Sequence, residues 1–396
     1  MTPTRQLGWV LGFTQMTAWA TTYYVPAVVT VGVAATFDAS IALVLGGFSL
    51  GMLVSGLCSP HVGRLIDRHG GRPVLVTSTL LQAAGLLTLA ASGGLGTWYA
   101  GWAVLGVGMA AGLYDAAFAT AGRALGTAAR PAITGITLLG GFASSLGWPM
   151  GAALVAVGGW RMTLLAYAGI VLCVNLPLFL AFVPRAVPLL PTATAIAHTP
   201  PAHASRAFVL IASFFTLRAA IATIITVSAP ALLAGLGLGT IEAVAVAALI
   251  GPAQVASRLV QATAGRGLSP LTTTWIGATV LPVVTLALVL AVATPGVPLY
   301  AGVLVFVLGY GMSNGILTIS RGVLPLWMFG ADGYAARIGR IALPVLLAQA
   351  AAPTIAAALF AGWPAERMFM ALGALSVLAA ACLVPLRPPA NQPPAS

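Results

Sequence analysis

Charged side chains are nearly missing from this 396-residue sequence: Asp, Glu, Lys and Arg together make 6% of it, where a soluble protein carries roughly a quarter. So few cannot clothe a water-soluble surface, which excludes a soluble enzyme and leaves a polytopic membrane protein. Lysine is absent. The 17 basic residues are all arginine and stand singly between apolar runs, so the net charge of +11 does not mark a nucleic-acid groove, and nucleic acid is not an expected partner. The acids number six and the histidines four, scattered where an intramembrane enzyme would gather them at one face. No Ser-His-Asp set, metal-spaced His cluster or phosphate-cradling loop occurs, so no enzyme activity, cofactor or metal is expected. Cys58, Cys173 and Cys382 are an odd number without CxxC spacing; that rules out a disulfide framework and casts them as packing residues.

What the sequence does have is apolar length, 60% of it hydrophobic. At about 20 residues per bilayer span, cutting at Gly, Pro and charged clusters gives apolar segments near 7–33, 41–62, 73–92, 98–121, 132–157 and 163–183. A second set lies near 207–234, 241–262, 271–293, 297–320, 339–361 and 367–386. Between the sets, Pro184–Arg206 holds five prolines, His198 and His203, and no run long enough to cross a bilayer. The expected fold is an all-α membrane protein of 12 transmembrane helices. Its expected parts are a six-helix bundle over 1–183, a surface linker over 184–206, a second six-helix bundle over 207–386 and a tail over 387–396. The first run begins near Leu7 and continues past 20 residues without a small-residue cleavage pattern, so it reads as a span and not a cleaved signal. Abundant Ala, Gly and Arg without Lys points to a GC-rich bacterial genome, hence to a bacterial inner membrane.

Arginine placement sets the orientation. With the N-terminus inside, twelve loop arginines from Arg5 to Arg387 fall on one side and only Arg161 and Arg367 on the other, which puts both termini in the cytoplasm. The halves also repeat, as in many secondary transporters. Arg64-Leu65-Ile66-Asp67 with Gly71-Arg72 aligns with Arg258-Leu259-Val260-Gln261 and Gly265-Arg266 at a constant offset of 194, and Gly159-Trp160-Arg161-Met162 is echoed by Gly362-Trp363 and Arg367-Met368. This register places Arg258 and Arg321 at span ends, where an arginine snorkels or pairs with a loop.

Between the second and third segments stands Gly63-Arg64-Leu65-Ile66-Asp67-Arg68-His69-Gly70-Gly71-Arg72-Pro73. It resembles the signature of the major facilitator superfamily, a Gly, then Asp-Arg, then Gly and a basic residue in the loop joining helices two and three. With the repeat and the central linker, the resemblance spans nearly the whole chain. It implies that Gly63, Asp67, Arg68, Gly71 and Arg72 gate the protein by latching its halves on the cytoplasmic side. Glycine permits the tight turn, and Asp67 can accept hydrogen bonds from Arg side chains or face a helix N-terminus. Gly140, Gly141, Gly147, Trp148, Pro149 and Gly151 resemble in part the Gly-Pro element of proton-linked drug exporters, with Trp148 interposed before Pro149; the same residues suit a close helix crossing with a kink. Gly251-Pro252-Ala253-Gln254 and Arg321-Gly322 through Leu324-Pro325-Leu326 resemble a bacterial permease subgroup in which some members export trivalent arsenicals.

The superfamily resemblance implies that the first, fourth, seventh and tenth helices line a central cavity, and the polar groups there are the candidates. Arg218 lies 12 residues after Arg206, roughly 18 Å along a helix and near the middle of the hydrocarbon. An arginine at that depth faces a water-filled path or a partner; it either binds an anionic substrate group or is a structural cation. Asp115 is the acid of the fourth span, eight residues before Arg123. It is a candidate proton carrier or a structural partner of Arg123 or Arg68, with small residues on its own helix face. Tyr310 and Asn314, at helical spacing with Thr318, are substrate-binding candidates, as are Gln15, Trp19, Tyr23 and Tyr114 with Phe118 nearby. The Thr14, Thr17, Thr21 stripe can instead satisfy itself on its own helix backbone. The three cysteines fall on helices peripheral to such a cavity, so an arsenical would be handled as a neutral hydroxide. The expected function is secondary transport of a small molecule by alternating access in a monomer, with protons as the coupling ion, and efflux of a toxic, drug-like or arsenical-like compound as the first reading. The alternative is uptake or exchange of a small organic anion, monocarboxylate-like, on Arg218.

Overall fold

A computed structural model describes residues 3–185, 202–359 and 362–388, and among them all regular structure is helical. The helices are α1 (Pro3–Thr21), α2 (Val25–Phe37), α3 (Ile41–His69), α4 (Gly71–Ala90), α5 (Leu95–Gly112), α6 (Tyr114–Leu125), α7 (Arg130–Gly140), α8 (Ala143–Ile170) and α9 (Leu176–Phe182). They continue as α10 (Ala202–Gly235), α11 (Thr240–Ala248), α12 (Ile250–Thr263), α13 (Pro270–Ala293), α14 (Leu299–Phe329), α15 (Tyr334–Leu359) and α16 (Ala365–Ala381). Among the described residues, nine stretches are long and apolar enough to cross a bilayer, the longest, Leu95–Phe182, containing several of these helices. Large apolar side chains such as Val31, Val157 and Ile241 are exposed, as expected of a surface whose solvent is lipid. Most of the expected linker, and most of the tail, lies outside the described residues; Ala202–Arg206 is already the start of α10.

Breaks follow local chemistry. Ser40 and Ser269 cap α3 and α13 by accepting the Leu43 and Thr272 N–H groups, the usual N-cap arrangement, and Pro270 occupies the first turn of α13. Gly159 interrupts α8 with φ 72 and ψ −176, a region essentially closed to residues with a Cβ. The break sends Arg161 back across the chain. Its Nη1 donates to Ala90 O at 2.7 Å and Ser92 O at 2.8 Å, where α4 ends, and its guanidinium lies 4.1 Å over the Trp160 ring. Gly362, the repeat partner of Gly159, also has positive φ, at 76°. A Cβ at Gly159 would meet nothing within 4 Å, so Gly159→Ala isolates backbone strain. It is expected to cost about 1–3 kcal/mol, read as a lowered thermal midpoint in detergent.

The chain forms two compact units. The first is Met1–Thr199 with Phe329–Ala350; the second is Pro200–Met328 with Ala351–Ser396. The first therefore takes in the start of α15, a segment that the six-plus-six reading assigns to the second bundle. The reason is close packing on α3. A Cβ at Gly63 would lie 2.3 Å from Ala335 O, and one at Gly339 would lie 2.3 Å from Ser59 O, so two glycines let these backbones touch. The core of the first unit gathers Trp98, Trp102, Trp160, Leu86 and Leu105. Buried indoles keep their N–H satisfied where Trp98 donates to Val44 O (3.0 Å) and Trp160 to Thr36 Oγ1 (2.9 Å). The core of the second gathers Phe306, Tyr310, Phe369, Leu281 and Ile221.

Candidate functional site

In the first unit, the signature segment ends α3 and begins α4, with Gly70 at φ 79 making the turn. Asp67 turns its carboxylate to the start of α15. Its Oδ2 accepts the Ala336 N–H at 2.8 Å and its Oδ1 the Ala335 N–H at 3.3 Å. A helix leaves its first N–H groups without internal partners and carries partial positive charge there, so one carboxylate from a distant segment caps α15. Arg123 Nε donates to the Asp67 carbonyl at 3.3 Å, and Arg72 Nη2 donates to Leu180 O. Gly71 lies against Thr120 so closely that a Cβ would clash. Arg68 is exposed. The carboxylate thus uses the helix N-terminus, the second of the two roles its chemistry allows.

Asp115 does not sit within an unbroken span. The helix stops at Gly112, Leu113 adopts φ −85 and ψ −168, and α6 starts at Tyr114. Asp115 therefore occupies the first turn of a new helix, where a negative charge is favoured. It is half-buried and lines a small pocket with Gly63, Ile66, Ala119, Ala335 and Gly339, beside the residues that Asp67 caps. Gln15 repairs the other side of the break. Its Nε2 donates 2.7 Å to the Gly112 carbonyl, and its Oε1 accepts the Trp19 indole N–H at 3.2 Å.

The aromatic candidates of the first unit come together around this break. Trp19 lies 4.6 Å from Tyr23 and 4.9 Å from Tyr114, ring centre to ring centre, and Tyr114 stacks on Phe118 at 5.4 Å. Tyr24, Phe48 and Trp148 extend the cluster. Gln15, Trp19, Tyr23 and Tyr114 are thus one group. The threonine stripe is not part of it: Thr14 donates to Leu11 O and Thr21 to Thr17 O within α1.

In the second unit, Arg218 is 4% exposed. Its Nη2 donates to Ser313 Oγ at 2.9 Å, and that hydroxyl donates on to Gly277 O at 2.6 Å. Nε and Nη1 have no hydrogen-bond partner among the described residues. Tyr310, one turn before Ser313 on α14, is fully buried, donates to Ala222 O at 3.1 Å, and meets Thr226 Oγ1 at 3.3 Å. Asn314 is half-buried beside Ser313. Arg258 departs from the snorkelling expectation. It is 4% exposed and donates to Thr318 Oγ1 at 3.4 Å, because its face of α12 packs on α14, where Gly315 leaves room for Ser257. Arg321 lies inside α14, which runs on to Phe329, and not at a helix end. Ser313, the hydrogen-bond partner of Arg218 among the described residues, carries no distinguishing signal in the sequence.

The sequence profile of the Major Facilitator Superfamily matches residues 9–325. The chain belongs to that superfamily. Curated protein sequences include no match to it. Among solved structures, the human organic anion transporter MFSD10 (TETRAN) superposes with a TM-score of 0.71 at 17% identity, over 97% of this chain and 100% of that one. The proton:xylose symporter XylE, bound to 6-bromo-6-deoxy-D-glucose, does so with 0.70 at 14% identity, over 98% and 94%. At such identities the likeness is one of fold. As a superfamily member the chain is a multi-pass membrane transporter and not an enzyme. Within this superfamily fold, the Gly-Pro element is a close crossing: a Cβ at Gly147 would approach Ala20 Cα at 3.0 Å, and one at Gly151 the Tyr167 hydroxyl at 2.5 Å. Of the cysteines, Cys58 and Cys382 are half-buried, whereas Cys173 is exposed; the packing expectation fails for Cys173, which lies on an outward helix face.

Proposed function

We propose that this protein is a secondary transporter of a small organic anion, whose acidic group binds Arg218. The observation that carries the reading is a buried arginine, 4% exposed, whose guanidinium has two nitrogens lacking partners among the described residues. A buried, unneutralised charge is costly, and an anionic substrate would offset that cost each time it binds. The name of MFSD10 as an organic anion transporter agrees with this reading. Tyr310 and Asn314 flank the group. Transport runs by alternating access, with the sequence repeat over 1–183 and 207–386 supplying the two bundles and 184–206 linking them. Both termini lie in the cytoplasm of a bacterial inner membrane, the protein works as a monomer, and the direction is export. Asp115 carries the coupling proton, and its pocket-sharing with Gly63 and Ala335 links protonation to the segment that Asp67, Arg68, Gly71 and Arg72 gate.

A second reading has its own observation. The group of Trp19, Tyr23, Tyr24 and Tyr114 offers aromatic faces to a planar or apolar compound, which supports efflux of a drug-like molecule; an arsenical hydroxide would use the hydrogen bonds of Gln15 and Asn314. A growth screen with and without the protein separates the readings. Protection against toxic organic acids, lost in Arg218→Ala and made independent of the pH gradient in Asp115→Asn, is the expected result. Protection confined to cationic dyes, arsenite or antimonite would move the assignment to the aromatic group, and sensitisation to a toxic acid would reverse the direction.

A further inference from the structure

We infer that the species bound at Arg218 is an ionised oxyanion held through two oxygens, and that Ser313 is the positioning residue that fixes the guanidinium for it. The inference rests on the anion reading above and narrows it. A guanidinium carries five N–H donors: one on Nε and two on each Nη. Ser313 Oγ takes one from Nη2, and the three on Nε and Nη1 have no partner among the described residues. The neighbouring hydroxyls have no proton to give a ligand. The Ser313 proton goes to Gly277 O and the Tyr310 proton to Ala222 O, while Thr226 faces the Tyr310 oxygen.

Arg218 therefore keeps N–H donors that no acceptor meets among the described residues. A carboxylate supplies two acceptor oxygens in the plane of the guanidinium and pairs with one of its edges bidentately. The corresponding amide brings an NH2 donor against N–H donors and leaves a buried group unpaired, which sites of this kind reject strongly. Lysine offers no matching edge. Ser313 matters because it ties Nη2 through its own oxygen to the backbone of α13. The arginine cannot rotate about its last bonds without breaking that link, so the edge that Ser313 leaves free, formed by the second Nη2 hydrogen with Nε or Nη1, stays presented.

The test is isothermal titration of the full-length protein in nanodiscs with three matched pairs: benzoate and benzamide, lactate and lactamide, succinate and succinamide. At least one carboxylate should bind and its amide bind about 30-fold more weakly or not at all. Ser313→Ala should weaken that carboxylate about tenfold and narrow its margin over the amide, and Ser313→Thr, which keeps the hydroxyl, should restore both. Arg218→Lys should bind no better than Ser313→Ala; should the alanine variant fail to fold, Ser313→Cys, close in size but a weak acceptor, gives the same reading. If carboxylate binding is lost in Arg218→Met yet the margin is unchanged in Ser313→Ala, the positioning role is overturned and the anion reading stands. If no carboxylate binds, or amides bind equally, both fall.

Discussion

Arg218→Ala is expected to abolish transport while the protein still reaches the membrane and folds. The residue is 4% exposed, and among the described residues its guanidinium makes one hydrogen bond, to Ser313 Oγ. Ser313 already donates to Gly277 O, so losing the arginine leaves that hydroxyl with its proton satisfied. Removing a buried charge that has no ionic partner among the described residues relieves a desolvation cost instead of creating one. Arg218→Met, which fills similar volume, should therefore be as thermally stable as the parent or more so. Losing a desolvated contact to an anion costs about 2–5 kcal/mol, a drop in affinity of roughly one and a half to three and a half orders of magnitude. Stability held and transport lost is the pattern of a ligand-binding cation; stability lost in both variants is the pattern of a structural one.

The second large effect is expected at the α3–α15 contact. Asp67→Ala removes the carboxylate that accepts the Ala335 and Ala336 N–H groups, a cap worth about 0.5–2 kcal/mol, with a further contribution from charge at the helix start. Amide exchange at Ala335 and Ala336 should accelerate about tenfold, and transport should fall with it. Gly63→Ala strikes the same contact from the other direction. Its new Cβ would lie 2.3 Å from Ala335 O, and overpacking of this kind costs about 1–3 kcal/mol. Faster exchange at these two amides in both variants, with the rest of α15 unchanged, ties the signature to the docking of this helix. Normal transport in both would remove the gating role.

Long apolar runs made the helices legible, and each expected segment contains one or two of them. The depth of Arg218 could be read by counting turns from Arg206, and the Gly-Trp echo reappears as positive φ at both Gly159 and Gly362. What escaped was interruption within a run. No proline marks the break at Leu113; Asp115 reads as a lone acid in an apolar run, and the density of glycine at Gly106, Gly108 and Gly112 equally suits tight packing. Asp115 consequently reads as lying within the fourth span when it opens a helix. Arg258 was placed by analogy with Arg64, but a repeat conserves register more faithfully than environment, and packing on α14 buries it. Ser313 is one small hydroxyl among many, and its role exists only because α10 brings Arg218 beside it. The grouping of residues 329–350 with the first unit likewise depends on Gly63 meeting Ala335, and Gly339 meeting Ser59, across long sequence separation.

The most direct test of the central claim records charge movement in proteoliposomes of the purified protein on exposure to small carboxylates and to their amides. The account expects a response to at least one carboxylate, none to its amide, and loss of the carboxylate response in Arg218→Met at unchanged thermal stability. A full response in Arg218→Met, or a response confined to neutral or cationic compounds, would contradict it.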